Sequence, residues 1–234
     1  MRGMDLITYS TGYDYDEDIV NTQEYKDVWN FINTTLPNKG VREYTLKMFA
    51  SFIWGIKKNE LLVVLKGRGA NGKSIIMNLM SQTLGDYYDV LDISKLTSKR
   101  KAADTADPSV ADLPGKRLVV SQEPAAGQEV INVGILKEFT GGDEMKTRPL
   151  YKDIIKFKPQ WSLLLTCNEF PAIPSDDEGT WRRIRVIEFT QKFTDDEKLL
   201  SKHKYCHPKD KTLNEKVETI EWRMAMMHIL LEYF

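Results

Sequence analysis

Only two cysteines, Cys167 and Cys206, occur in 234 residues. They are too few for a disulfide framework and fit a reducing, intracellular compartment. Histidine is almost as scarce, and the "HKYCH" stretch at 203–207 lacks a second ligand pair, which argues against zinc there. No apolar run approaches the ~18 residues of a membrane span, and the start "MRGMDLITYS" has no apolar signal-peptide core. Neither a membrane partner nor secretion is expected. The net charge is −1, so no global basic surface advertises nucleic acid; any such surface must be local. No internal repeat is found. What remains is 41% hydrophobic and 29% charged, the balance of a soluble globular protein. The length suits one substantial domain, or a domain with a small satellite.

Along the chain, "DLITYSTGYDYDEDIV" is rich in tyrosine and acid and reads as loop. "EYKDVWNFINTTL" reads as helix, and residues 41–58 as a largely buried helix, because they are apolar on too many faces for a surface one. Residues 61–65 are a continuous apolar run of strand length, as in a parallel strand covered on both faces. Further buried strands are expected at 117–122, in "WSLLLTCN", and at 184–189. "VINVGILKEFT" reads as a helix stopped by Gly141 and Gly142. Residues 218–234 form an apolar, Met-rich helix that stops in mid-pattern, as expected of a fragment of a longer chain. Strands alternating with helices imply an open α/β sheet with a helical piece on its N-terminal side. Ligands of such sheets sit beyond the carboxyl ends of the strands.

The first strand runs into Gly67-Arg68-Gly69-Ala70-Asn71-Gly72-Lys73-Ser74, which matches G-x-x-x-x-G-K-[ST]. The glycines let backbone N–H groups turn inward as an anion nest, and the next helix aims its positive end at the same place. Lys73 can reach the β- and γ-phosphates of a nucleoside triphosphate, and the Ser74 hydroxyl can bind Mg²⁺.

A hydrolase also needs a carboxylate to polarise water. "LVVSQEP" puts Gln122 and Glu123 at a strand end. Glu123 is the natural general base, the alternative being a solvated loop acid. Gln122 stands where many such enzymes have a second acid; it can hold a metal-bound water but supplies no charge. "LLLTCNEFP" puts Asn168 at the next strand end, either to orient water or sense the γ-phosphate, or to make an Asx turn before Pro171. Arg182 and Arg183 precede the last strand. The pair is either an arginine finger offered to a neighbouring subunit or a surface ion-pair cluster. "EMKTRPLYKDIIKFKPQ" alternates apolar and basic residues and reads as a hairpin with its tip near Tyr151 to Asp153. Lys146, Arg148, Tyr151 and Lys152 would then offer basic and aromatic groups to a phosphate backbone, unless they are merely an exposed lysine-rich hairpin. Lys95, Lys99, Arg100 and Lys101 form a second basic run, expected to be solvated.

The ordered set GRGANGKS, KRLVVSQEP, LKEFTGGDEMKTRPLYKD, LLLTCNEFP and GTWRRIRVIEF resembles the superfamily 3 helicases. It is most similar to the C-terminal helicase part of the primase-helicases of nucleocytoplasmic large DNA viruses and related phages. The similarity spans roughly residues 8 to 190, and "STGYDYD" is similar to the segment before the ATPase core of those proteins. The resemblance implies an α/β fold: a P-loop, AAA+-like core with a central parallel sheet, preceded by a small helical segment. The expected division is 1–58 for that linker and helical segment, 59–192 for the ATPase core, and 193–234 for a C-terminal helical segment. It also implies ATP and Mg²⁺ as cofactors and single-stranded DNA as partner. A ring, expected to be of six copies, would place each site between subunits. A primase domain or other replication proteins would be further partners, and the host cytoplasm or a viral replication site the location. Residues 67–74, Gln122, Glu123 and Asn168 would come from one subunit and Arg182 or Arg183 from the next, with Mg²⁺ near Ser74, Gln122 and Glu123. The hairpin around Lys152 would follow the DNA, and Lys137 would belong to the same basic motif. Gln122 departs from the family's acid and leaves Mg²⁺ mainly to Ser74 and the phosphates. Two other readings stand beside this one: an RNA helicase or DNA-packaging motor, and a nucleotide-gated assembly module that does not hydrolyse.

Overall fold

Leu62, Val63, Val64 and Leu65 are all essentially inaccessible to solvent. A run without polar alternation can be a strand only where both sheet faces are covered, and the structure supplies both covers. The computed structural model describes residues 8–56, 59–98, 106–122, 130–174 and 176–234. Its strands are β1 (Leu62–Lys66), β2 (Tyr88–Val90), β3 (Leu118–Gln122), β4 (Met145–Thr147), β5 (Ile155–Phe157), β6 (Ser162–Cys167), β7 (Ile184–Glu188), β8 (Lys192–Thr194) and β9 (Cys206–Pro208). The first helices are α1 (Gln23–Thr35), α2 (Lys39–Ser51), α3 (Lys73–Leu84), α4 (Ser94–Thr97) and α5 (Pro108–Ala111). They are followed by α6 (Val133–Thr140), α7 (Glu178–Trp181), α8 (Glu197–Lys202), α9 (Leu213–Lys216) and α10 (Ile220–Glu232).

Five strands pair in the order β2-β3-β6-β1-β7, all parallel. Successive residues point to opposite faces, so each strand feeds two cores. Val63, Leu65, Leu118, Val120 and Leu164 join one cluster with Val28, Phe49, Leu79 and Ile229 from α1, α2, α3 and α10. Leu62, Val64, Val119, Leu163 and Leu165 join the other with Leu96, Leu136 and Trp161. Burying each such side chain contributes about 1.5–3 kcal/mol. The N-terminal helices and the C-terminal helix therefore share one layer over the sheet.

The helix starts follow local chemistry. Thr22 Oγ1 accepts from Tyr25 N at 3.3 Å to cap α1, and Asn38 Oδ1 accepts from Val41 N at 3.1 Å to cap α2. Helix α2 stops at Ser51, short of the expected residue 58, and buries one face only: Thr45, Leu46, Phe49 and Ala50. The next bonds run three residues back, Phe52 N to Phe49 O and Ile53 N to Ala50 O, as Phe52 turns into the core and ends the α-helical ladder. Trp54 and Ile56, counted as buried helix in the sequence reading, are exposed.

The β4–β5 hairpin is present, with Lys146 opposite Lys156. Its inner side is anchored: Met145 and Thr147 are buried, and Phe157 packs on Trp161 with ring centres 5.8 Å apart. Asp107 N donates to Arg148 O at 2.8 Å, and the Asp107 carboxylate accepts from Lys95 Nζ at 2.6 Å. Lys95 is thus held in a half-buried ion pair rather than solvated; Lys99, Arg100 and Lys101 lie outside the described residues.

Candidate nucleotide site

The phosphate loop leaves the carboxyl end of β1 between β6 and β7. Gly67 N donates to Cys167 O at 3.1 Å, and Phe189 N donates to Lys66 O at 2.8 Å, so both neighbouring strands grip the start of the loop. A Cβ on Gly67 would stand 2.7 Å from Phe189 O, which leaves room for glycine alone. Gly72 has φ +86° and closes the loop against α1, where an added Cβ would lie 2.9 Å from Thr35 Cγ2. Helix α3 begins at Lys73 with no side-chain cap. Lys73 N donates to Asn71 Oδ1 at 3.4 Å, and the N–H groups that follow it stand at the helix start beside the loop, the arrangement that anion binding uses. Lys73 is only 7% exposed; its amine donates to Gly67 O and to Asn71 Oδ1, the latter at 3.2 Å. Incoming phosphates would compete with these two oxygens for that amine.

A cavity of about 1180 Å³ opens above the loop. It brings together Gly69, Ala70, Asn71, Gly72, Lys73 and Ser74 with Gln122 at the end of β3 and Asn168 just after β6. Gly67 and Arg68 line a second cavity on the loop's other side. Glu123 lies outside the described residues. The donors beside the loop, a Ser hydroxyl and a Gln amide oxygen, suit a hard cation carried in on phosphates rather than a protein cage. Among the described residues no cluster of three or more His, Cys, Asp or Glu side chains could hold a metal alone. Ser74 and Gln122 thus fit Mg²⁺ that arrives with a nucleotide.

The two candidate arginines have different surroundings. Arg183 Nη2 reaches Glu60 Oε2 at 2.5 Å, Nη1 donates to Gly179 O, and the side chain is 12% exposed. Arg182 keeps 69% of its side chain exposed and comes only to 3.7 Å of the same Glu60 oxygen. Lys137, on α6, pairs with Asp177 Oδ2 at 2.5 Å. That hydrogen bond, with those from Gly179 N and Thr180 Oγ1, holds the Asp177 carboxyl down to about 2. Asp177 in turn caps α7, the turn that delivers Arg182. At the hairpin tip Tyr151 has φ +58° and is 94% exposed, and Arg148 Nε donates to Lys152 O at 3.1 Å, closing the turn. Lys146 and Lys152 are exposed alongside.

Residues 65–183 match the model of a family described as "Family of unknown function (DUF5906)". The chain belongs to that family. A protein named "Putative helicase" in Acanthamoeba polyphaga mimivirus is 42% identical over 236 residues, covering 98% of this chain and 24% of its own length. Another of that name in Frog virus 3 is 31% identical, covering 83% of this chain and 20% of its own. The chain thus spans about a quarter or less of these curated relatives. The C-terminal region of NrS-1, in an apo structure, aligns with a TM-score of 0.61 at 13% identity, over 86% of this chain and 44% of that one. At that identity the likeness concerns the fold alone. The resemblance drawn from the motif order, to helicases of large DNA viruses, is borne out by these relatives.

The span matched to DUF5906 holds the whole loop, Gln122, Asn168 and both arginines. It omits part of the cavity wall: Phe31, Phe193, Lys209, Asp210, Lys211, Leu213 and Asn214 also line it. Sequence reasoning missed these, because nothing in their local pattern distinguishes them. They reach the loop only through the fold. No described helix is long and apolar enough to cross a membrane.

Proposed function

We propose that this chain is an ATP-driven motor of viral or phage DNA replication, which hydrolyses ATP between copies of itself and moves along single-stranded DNA to unwind duplex. One relationship carries the reading. The phosphate loop leaves the carboxyl end of β1, whereas Arg182 and Arg183 precede the amino end of β7, which is parallel to β1 and paired with it from Leu62 with Ile184 to Lys66 with Glu188. Five residues of strand span about 16 Å. An arginine at one end of the sheet cannot serve the loop at the other end of the same chain, so a site that uses it needs a second copy. Arg182, exposed and weakly held, is the group available to that copy; Arg183 is committed to Glu60 and Gly179.

In this reading the loop amides and Lys73 hold the phosphates of ATP. Ser74 and Gln122 would hold Mg²⁺, which when bound neutralises charge developing on those phosphates. Glu123 takes the proton of the attacking water, Asn168 orients that water, and Arg182 from a neighbouring copy stabilises the charge on the transferred phosphoryl group. The hairpin carries Lys146, Arg148, Tyr151 and Lys152 to the DNA backbone and bases. Lys137 is the exception among the expected DNA contacts, since its pairing with Asp177 supports instead a role in setting the turn before Arg182. The ring is proposed to be a hexamer, linked in the longer protein to a primase domain or other replication proteins, and working in the host cytoplasm or at a viral replication site.

The test is ATPase rate against protein concentration, with and without single-stranded DNA. The rate per chain should rise as the protein assembles and rise again with DNA. A rate per chain that is flat in both would rule out a shared-site DNA motor.

A further inference from the structure

The cavity above the loop has a second wall with a different chemistry. Gln122 and Asn168 stand on the side of β1 occupied by β6 and β3; Phe193 follows β7, on the other side. Phe193 N donates to Ala70 O at 2.7 Å, so β8 is tied to the phosphate loop by its backbone. A Cβ on Gly72 would stand 3.4 Å from Phe193 Cε2, which puts the ring beside the last glycine of the loop. His207 supports that ring at a centre distance of 5.7 Å, and its own Nε2 is bonded to Gln191 Oε1 at 2.9 Å. Ile75 of α3 and Leu213 of α9 add apolar surface to the same cavity, and the exposed Asn214 amide lies at its rim.

We propose that Phe193, Ile75, Leu213 and Asn214 form a subsite for the nucleobase. The inference rests on the nucleotide reading above. Chemistry assigns the two sides of the cavity. Loop amides and Lys73 suit phosphate oxygens, whereas an aromatic ring flanked by aliphatic groups suits the flat face of a base. An amide can both donate to and accept from a base edge. Phe193, Leu213 and Asn214 lie outside the residues matched by DUF5906, so the choice of base would be made by parts of this chain that the family model does not cover.

The experiment is calorimetric titration of the whole 234-residue chain with ATP, GTP and inorganic tripolyphosphate, each with Mg²⁺. Phe193→Ala should weaken ATP binding about tenfold while leaving tripolyphosphate within about twofold, since only the base contact is lost. Phe193→Leu keeps an apolar side chain at the position and should also lose several-fold for ATP, which guards against an unfolded alanine variant. Asn214→Ala, at an exposed position, should change the ratio of ATP to GTP affinity. Equal losses for ATP and tripolyphosphate, or no loss for ATP in either Phe193 variant, would overturn the base subsite while leaving nucleotide binding standing. Wild-type protein that binds neither ligand would overturn both.

Discussion

Arg183 is bonded to Glu60 at 2.5 Å, while its neighbour Arg182 holds 69% of its side chain in solvent. The contact joins the entrances of β1 and β7 and divides the labour of the pair. Arg182→Ala should cut assembled turnover by about 10³ with ATP affinity retained. Arg183→Ala should instead cost about 2 kcal/mol of stability, since the carboxylate of Glu60 and Gly179 O both lose a charged donor. Mixing Arg182→Ala with Lys73→Ala copies should restore part of the turnover, because one supplies loops and the other arginines. ATPase assays of the mixture and a urea melt of each variant check this; no recovery in the mixture counts against a shared site.

Lys73 is buried against its own loop, where its amine is held by Gly67 O and Asn71 Oδ1. Lys73→Ala should abolish turnover and weaken ATP binding. Glu123→Gln should bind ATP as well as wild type and fail to release phosphate, trapping the nucleotide. Filter retention of labelled ATP after dilution separates the two behaviours.

Tyr151 sits at φ +58°, a conformation that glycine adopts without strain. Tyr151→Gly should therefore melt no earlier than wild type, yet lose the stimulation of ATPase by single-stranded DNA. Lys152→Ala should lower the salt dependence of DNA binding by about 0.7 in the log–log slope, as expected for one phosphate contact on a single strand. Anisotropy titrations at several salt concentrations measure both effects.

Gly72 combines φ +86° with an added Cβ 2.9 Å from Thr35 Cγ2. Gly72→Ala should cost about 1–2 kcal/mol from the backbone alone. It should also push the loop from α1, so that ATP binding falls further than stability does. Parallel thermal melts and nucleotide titrations compare the two losses.

Asp177 is held down to about 2 by its hydrogen bond to Lys137, with help from Gly179 N and Thr180. An unfolded aspartate titrates near 4, at about 3.9. The stabilisation is thus fully present above that value and is lost as pH falls from about 4 towards 2. Asp177→Asn protein should start less stable at neutral pH and lose less on acidification through that window. Urea midpoints at pH 5, 4 and 3 would reveal it, and parallel curves would refute it.

Much of the architecture was written in local patterns. The apolar run before Gly67 requires a strand covered on both faces, and "GRGANGKS" requires a glycine turn between that strand and a helix. The alternation around Tyr151 requires a hairpin. Each depends on neighbours a few residues apart, so composition and spacing sufficed. Strand β2 escaped notice because three residues, Tyr88 to Val90, make too short a period to read. The end of α2 escaped because Ile53, Trp54 and Ile56 continue an apolar pattern that the backbone abandons at Ser51.

Tertiary structure alone separated Arg182 from Arg183. Adjacent arginines look alike in a sequence, and the acid that distinguishes them, Glu60, is 123 residues away from Arg183 along the chain. It comes within reach only because β1 and β7 pair in parallel with their amino ends together. Phe193 likewise gained its place beside Gly72 through one backbone hydrogen bond to Ala70. Local residue order was enough to specify the strand, glycine loop and helix in sequence. Which groups surround that loop, and which lie at the far end of the sheet from it, follows from sheet order, because contacts between distant segments exist only once the strands have been arranged.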